Sequence, residues 1–255
     1  MGRYFITGDT HGYFKHIVLS THPLFTSEDV LIILGDSGFN YHVYESRKQD
    51  KSGQKRRYIS DAYNQNAKKL FHDMFPGTVF CIHGNHEARP QTIEGYKPKI
   101  WNGGRVWGEE EYPRILFGED GEVYTFKGEE YIVIGGAYSV DKYIRLSQQA
   151  HGNPGAMWFD DEQPNEKIKS KVERTLTQKN WHIHGILSHT CPLSMIPTEL
   201  FLSGIDQSSV DQSTEEWLET IRKRLDYHIW YFGHFHGNKQ KDSMKMLYHQ
   251  IVPLE

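Results

Sequence analysis

Five short stretches of this chain combine a tight turn with side chains that bind hard or borderline metal ions. They are Gly8-Asp9-Thr10-His11-Gly12, Gly35-Asp36-Ser37-Gly38, Gly84-Asn85-His86-Glu87, Ser188-His189-Thr190 and Gly233-His234-Phe235-His236-Gly237. Carboxylate oxygen, amide oxygen and imidazole nitrogen together suit manganese, iron or zinc, and the lack of cysteine in these turns speaks against a purely soft site. One residue separates Asp9 from His11, and one separates His234 from His236. In an extended segment such a pair points to one side and can face a shared cluster. Alone, each turn reads as punctuation, because a Gly-Asp dipeptide is usually a turn and a strand-end histidine is usually packed. Seven compatible side chains in five such turns are hard to explain that way.

The elements that must position these turns are legible just before them. Tyr4–Thr7, Leu31–Leu34, Val79–Ile82, Gly185–Leu187 and Trp230–Phe232 are short apolar runs ending in glycine or polar residues, as strands do. In open α/β sheets, sites form beyond the carboxyl ends of strands, so turns distant in sequence can converge there. The strands expected are Arg3–Thr7, Val30–Leu34, Thr78–Ile82, Tyr131–Ile134, Ile183–Leu187 and His228–Phe232. Helical spacing appears between them, in Ile168, Val172 and Leu176 and in Trp217, Leu218, Ile221 and Leu225 behind a Ser213–Glu216 capping box. Ile59, Tyr63, Ala67, Leu70 and Phe71 predict a further helix. Alternating strands and helices give an α/β fold, with an antiparallel stretch between Arg105 and Tyr138.

Bulk properties narrow the class. At 255 residues, 37% hydrophobic and 13% aromatic, the chain supports one packed domain over 1–255. The formal charge of 29 − 33 = −4 disfavours general affinity for a nucleic acid backbone. Cys81 and Cys191 are too few for a disulfide framework and fit a reducing compartment. No apolar run approaches a membrane span and the start shows no signal-peptide pattern, so the expectation is a soluble, cytoplasmic protein without a membrane partner. The basic segment 46–58, with Arg47, Lys48, Lys51, Lys55, Arg56 and Arg57, is expected to be a solvated loop or frayed helix end.

The ordered set of turns, from Gly8 to Gly237, resembles the calcineurin-like metallophosphoesterase superfamily. That resemblance implies two packed mixed β-sheets flanked by helices. It implies two divalent metal ions, manganese foremost with iron or zinc as alternatives. Asp9, His11 and His236 would hold one ion, Asn85, His189 and His234 the other, and Asp36 would bridge them. His86 resembles the family's general acid. The activity implied is hydrolysis of small phosphomonoesters or phosphodiesters by metal-activated water.

The match to the Ser/Thr protein phosphatase branch is partial. Where that branch continues its second Gly-Asp with Asp-Arg-Gly, this chain has Ser37-Gly38-Phe39-Asn40-Tyr41. A carboxylate expected to orient the histidine and an arginine expected to clamp phosphate are therefore missing there. Arg89, Tyr138 and Lys142 are the expected substrate contacts, with Asp141 and Arg145 nearby. A nuclease, a nucleic-acid end phosphatase and a protein phosphatase remain as alternative activities. The only support for nucleic acid is the basic segment around Lys55–Arg57.

Overall fold

The computed structural model describes residues 2–14, 17, 25–49, 55–59, 62–152, 157–201 and 207–255. In chain order the elements begin with β1 (Tyr4–Thr7), β2 (Val30–Ile33), β3 (Val43–Gln49), β4 (Lys55–Ile59), α1 (Ala62–Met74) and β5 (Thr78–Cys81). There follow β6 (Lys97–Trp101), β7 (Gly104–Gly108), β8 (Ile115–Gly118), β9 (Val123–Phe126), β10 (Glu129–Ile134), α2 (Lys142–Ala150) and α3 (Glu166–Gln178). The last are β11 (His182–Ser188), α4 (Ser213–Arg222), β12 (Asp226–Phe232), β13 (Lys239–Lys241), β14 (Met244–Met246) and β15 (Val252–Pro253).

Two mixed sheets make the body, in the orders β15-β1-β2-β5-β8-β7-β6 and β13-β14-β12-β11-β10-β9. Within each, the central strands run parallel, β1-β2-β5-β8 in one and β10-β11-β12-β14 in the other, with antiparallel strands at the edges. The central strands are continuous apolar runs because both of their faces are covered. Ile32, Phe80, Tyr131, Val133 and Tyr231 point into the core between the sheets. Their neighbours Leu31, Ile33, Val79 and Cys81 point outward against Phe71 of α1. On the other side, Ile132, Ile134 and Trp230 pack against Val172 and Leu176 of α3 and Trp217, Leu218 and Ile221 of α4. The result is helix, sheet, sheet, helix, with every central strand ending at the same rim.

Local rules account for most boundaries. Asn165 caps α3 by accepting the Ile168 N–H at 3.0 Å. At α4 the expected Ser213 cap gives way to Asp211, which accepts the Ser213 N–H at 2.9 Å and so leaves Ser213 inside the helix. Helix α2, absent from the apolar spacing, follows the turn at Asp141. Ile59, read as helical, ends β4, and α1 begins at Ala62.

The basic segment is a correction. Ser46–Gln49 and Lys55–Tyr58 lie in an antiparallel β3–β4 hairpin rather than a loop or frayed helix end, and Asp50–Gln54 lie outside the described residues. Arg57 is 4% exposed, donates to Asp161 at 2.8 Å and Asp160 at 3.1 Å, and lies over the Phe159 ring. Its charge is committed to the fold, so it does not belong to a solvated basic run. No helix among the described residues is long and apolar enough to cross a membrane.

Candidate metal centre

The rim at the strand ends gathers the five turns. Asp9 follows β1, Asp36 follows β2, Asn85 and His86 follow β5, His189 follows β11, and His234 and His236 follow β12. The extended geometry expected to align Asp9 with His11, and His234 with His236, is not how they converge. His11, Asp36, His234 and His236 adopt left-handed backbone with φ of 48°, 46°, 67° and 51°. Such φ values occur in a few per cent of non-glycine residues and cost ~1–3 kcal/mol each. Four of them at one rim mark a place where packing holds the backbone against its own preference.

The turns also fix the two carboxylates. The His234 N–H donates to Asp9 Oδ1 at 2.9 Å, and the His86 N–H donates to Asp36 Oδ1 at 2.8 Å. Glycine permits both approaches, because a Cβ on Gly233 would overlap Asp9 Oδ1 and one on Gly84 would overlap Asp36 Oδ1. With each Oδ1 occupied, each Oδ2 faces the cluster. Asp9 Oδ2 is buried with no hydrogen-bond partner among the described residues, and it lies 3.4 Å from His236 Nε2 and 3.9 Å from His11 Nε2. Asp36 Oδ2 lies between His11 Nε2 at 3.9 Å and His189 Nε2 at 3.6 Å.

Hydrogen bonds on the far sides fix which atoms of the other groups face inward. His189 Nδ1 donates to the Leu34 carbonyl at 2.8 Å, so Nε2 is the inward nitrogen. Ser139 donates to Glu162 at 2.6 Å, and Asn85 Nδ2 donates to Ser139 Oγ at 2.8 Å, which turns Asn85 Oδ1 inward. Asn85 Oδ1 and His189 Nε2 then meet at 2.8 Å. A neutral His189 would present a lone pair to that oxygen; only a proton or a cation reconciles them. Burial alone would lower the His189 pKa, yet the charges of Asp36 and Asp9 outweigh it and raise it. His11 Nε2 and His236 Nε2 face one another at 3.0 Å, so that two imidazole nitrogens meet beside Asp9 Oδ2. His234, pushed down to about 3 by burial and the neighbouring His189, is a neutral ring.

This donor set fits cations. Ligand atoms of Asp9, His11 and His236 lie within 4.8 Å of one another, as do those of Asp9, Asp36 and His189. The set is oxygen and imidazole without sulfur, which suits manganese, iron or zinc.

His86 stands at the mouth of this cluster, its ring 5.2 Å from that of His11. Arg145 of α2 donates from Nη2 to His86 Nδ1 and lies over the Tyr41 ring, which itself stacks on His86. Asp141 holds the Arg145 Nε at 3.0 Å. The carboxylate and arginine missing after Asp36 therefore have counterparts from a different part of the chain, in reversed order. Here the arginine touches the histidine and the carboxylate backs the arginine. Since guanidinium is always a donor, Nδ1 accepts and the ring proton sits on Nε2. Glu87 ties the second and third turns together by accepting from the Gly38 N–H at 2.7 Å and from Ser37 Oγ. Burial and the Asp36 charge push its carboxyl up to about 7.

The expected substrate contacts divide. Tyr138 lines a cleft of 710 Å³ that opens from Asp36, Asn85, His86, His234 and His236. The Lys142 ammonium instead lies 4.4 Å from the Trp158 ring and 5.7 Å from Tyr138. The structure does not bring Arg89 to the cleft. Arg89 pairs with Asp120, each 5% exposed, and donates from Nε to the Asp161 carbonyl at 2.8 Å. Arg89→Ala leaves Asp120 buried without its partner and should cost about 3–5 kcal/mol of stability. Denaturant unfolding measures this, and an unchanged midpoint would show the pair to be dispensable. No role was read from the sequence for Ser139, Glu162 or Glu87, although Glu87 lies in the third turn and Ser139 follows the expected strand Tyr131–Ile134.

With this geometry in hand, comparison with known proteins gives the class. A family model described as calcineurin-like phosphoesterase matches residues 2–238, and the chain belongs to that family. It is a phosphoesterase of the calcineurin-like kind, a hydrolase whose family binds divalent metals. No curated protein matches by sequence. Among solved structures, the chain is similar to the phosphopantetheinyl hydrolase of Mycobacterium tuberculosis, at 13% identity and a TM-score of 0.46. That similarity covers 97% of this chain and 88% of the other.

Proposed function

We propose that the chain hydrolyses small phosphoesters at a dinuclear centre, with manganese as the working metal. One observation carries this reading. Asp9 Oδ2, Asp36 Oδ2, Asn85 Oδ1 and His189 Nε2 turn their lone pairs into one space, while hydrogen bonds tie down the opposite atom of each residue. Asp9, His11 and His236 would hold one ion and Asn85, His189 and His234 the other. Asp36 Oδ2 would serve both, in keeping with its place between His11 and His189. The bound ions would supply charge neutralisation of the phosphoester and a water acidic enough to attack near neutral pH.

The chain's own residues do the rest. His86 presents Nε2–H toward the leaving oxygen and Arg145 keeps it in that tautomer. Ser139 and Glu162 keep the Asn85 amide oxygen inward. Both monoesters and diesters fit, because among the described residues no lysine or arginine lines the cleft, where an arginine would select for the monoester dianion. The nucleic-acid reading loses Arg57 to Asp160 and Asp161. Two buried free cysteines fit a reducing cytoplasm.

Turnover of p-nitrophenyl phosphate and bis(p-nitrophenyl) phosphate should vanish with chelator and return with manganese. Activity that persists after exhaustive chelation would refute the metal-dependent reading. Ser139→Ala should weaken manganese binding about 10–100-fold, since it frees the Asn85 amide to rotate. Titration of the chelated protein with manganese reads this directly, and unchanged affinity would show that Ser139 does not orient Asn85.

A further inference from the structure

We propose that the 710 Å³ cleft is a leaving-group subsite for small phosphoesters of apolar alcohols that carry an ammonium group. This rests on the phosphoesterase reading above and adds a substrate class to it. The cleft opens from the His86, His234 and His236 side of the rim, so an ester whose phosphorus lies at the strand ends can extend its alcohol into it.

The walls are apolar and acidic. Val140, Ile196, Leu200 and Phe235 supply the apolar part, and Val140 and Leu200 are 71% and 50% exposed. Exposed aliphatic side chains facing a cavity next to a reactive site are covered at low cost by an apolar ligand. Asp141, Asp211 and Glu215 line the same cleft, and no lysine or arginine among the described residues does.

Two of those carboxyl groups have an oxygen that nothing among the described residues satisfies. Glu215 is 4% exposed; Thr190 occupies its Oε1, and its buried Oε2 has no hydrogen-bond partner. Asp141 is held through Oδ2 by Arg145, and its Oδ1 is likewise buried and without a partner. Buried carboxylate oxygens are normally hydrogen-bonded, and leaving one bare is costly. A ligand that brings N–H donors on a positive nitrogen meets this need, and one that brings further anions meets repulsion. The same walls would therefore disfavour polyphosphates and nucleic acids.

The test uses the manganese-loaded full chain and three monoesters whose leaving alcohols differ only six carbons from the ester. These are 6-aminohexyl phosphate, hexyl phosphate and 6-phosphooxyhexanoate. The expected order of kcat/KM is amino, then neutral, then carboxylate, with the amino ester favoured over the neutral one by about tenfold. Glu215→Gln should shrink that ratio, and Asp141→Asn should do so if the first variant does not fold; a ratio within one protein is insensitive to general loss of activity. Equal rates for the three esters, or a preference for the carboxylate, would overturn the subsite while p-nitrophenyl phosphate is still cleaved. If p-nitrophenyl phosphate is not cleaved either, the phosphoesterase reading fails and the subsite falls with it.

Discussion

Replacing Asp36 with asparagine will abolish turnover more completely than any other single change at the rim. Asp36 is 1% exposed, its Oδ1 is held by the His86 N–H, and its Oδ2 lies within reach of both His11 and His189. Asparagine keeps the shape and an oxygen but loses the charge that the proposed centre would share between its two halves. It also sets an amide nitrogen, a donor, where one of two acceptors is needed. A loss of several kcal/mol of transition-state stabilisation corresponds to about 10³-fold or more in kcat. The change should also weaken binding of both ions together, whereas His11→Ala should weaken one. Steady-state kinetics with a manganese titration separates these cases. An Asp36→Asn enzyme that keeps near-normal kcat at saturating manganese would remove Asp36 from its bridging place.

The second large effect belongs to His86. His86→Ala should lower kcat by roughly 10²–10⁴-fold, the range for a positioned proton donor. Metal content should be unchanged, because the His86 side chain is turned to Arg145 and Tyr41 and only its backbone N–H touches Asp36. The loss should shrink for nitrophenol esters, whose leaving oxygen needs little help, and grow for alkyl esters. Arg145→Ala should produce a milder version of the same leaving-group pattern, with Arg145→Lys restoring part of it. Should His86→Ala instead strip the metal, His86 would be a ligand or a prop for the turn.

The candidate site was legible because its residues sit in short local patterns. Gly-Asp, Gly-Asn-His and Gly-His-Phe-His each announce themselves within five residues, and each follows an apolar run that can only be a covered strand. The relations that control the site are longer in range and leave no local trace. Asp120 claims Arg89 from 31 residues away, and Arg145 reaches His86 across 59. An arginine three residues past a histidine looks like a substrate clamp until its buried partner is known. The solvated reading of the basic run failed at Arg57 for a similar reason, since Arg57 finds Asp160 and Asp161 more than a hundred residues later. Helix α2 was hidden by its composition. Tyr143 and Ile144 are exposed, while the residue it buries is Arg145, so no apolar stripe marks it.

The central claim is that the seven inward-facing side chains hold two metal ions. Crystals of the manganese-loaded protein, measured near the manganese absorption edge, test it most directly through anomalous difference density. The account predicts two peaks at the strand-end rim, one against Asp9, His11 and His236 and one against Asn85, His189 and His234, with Asp36 between them. A map with no peak at these residues, or with metal bound only elsewhere on the surface, would contradict it.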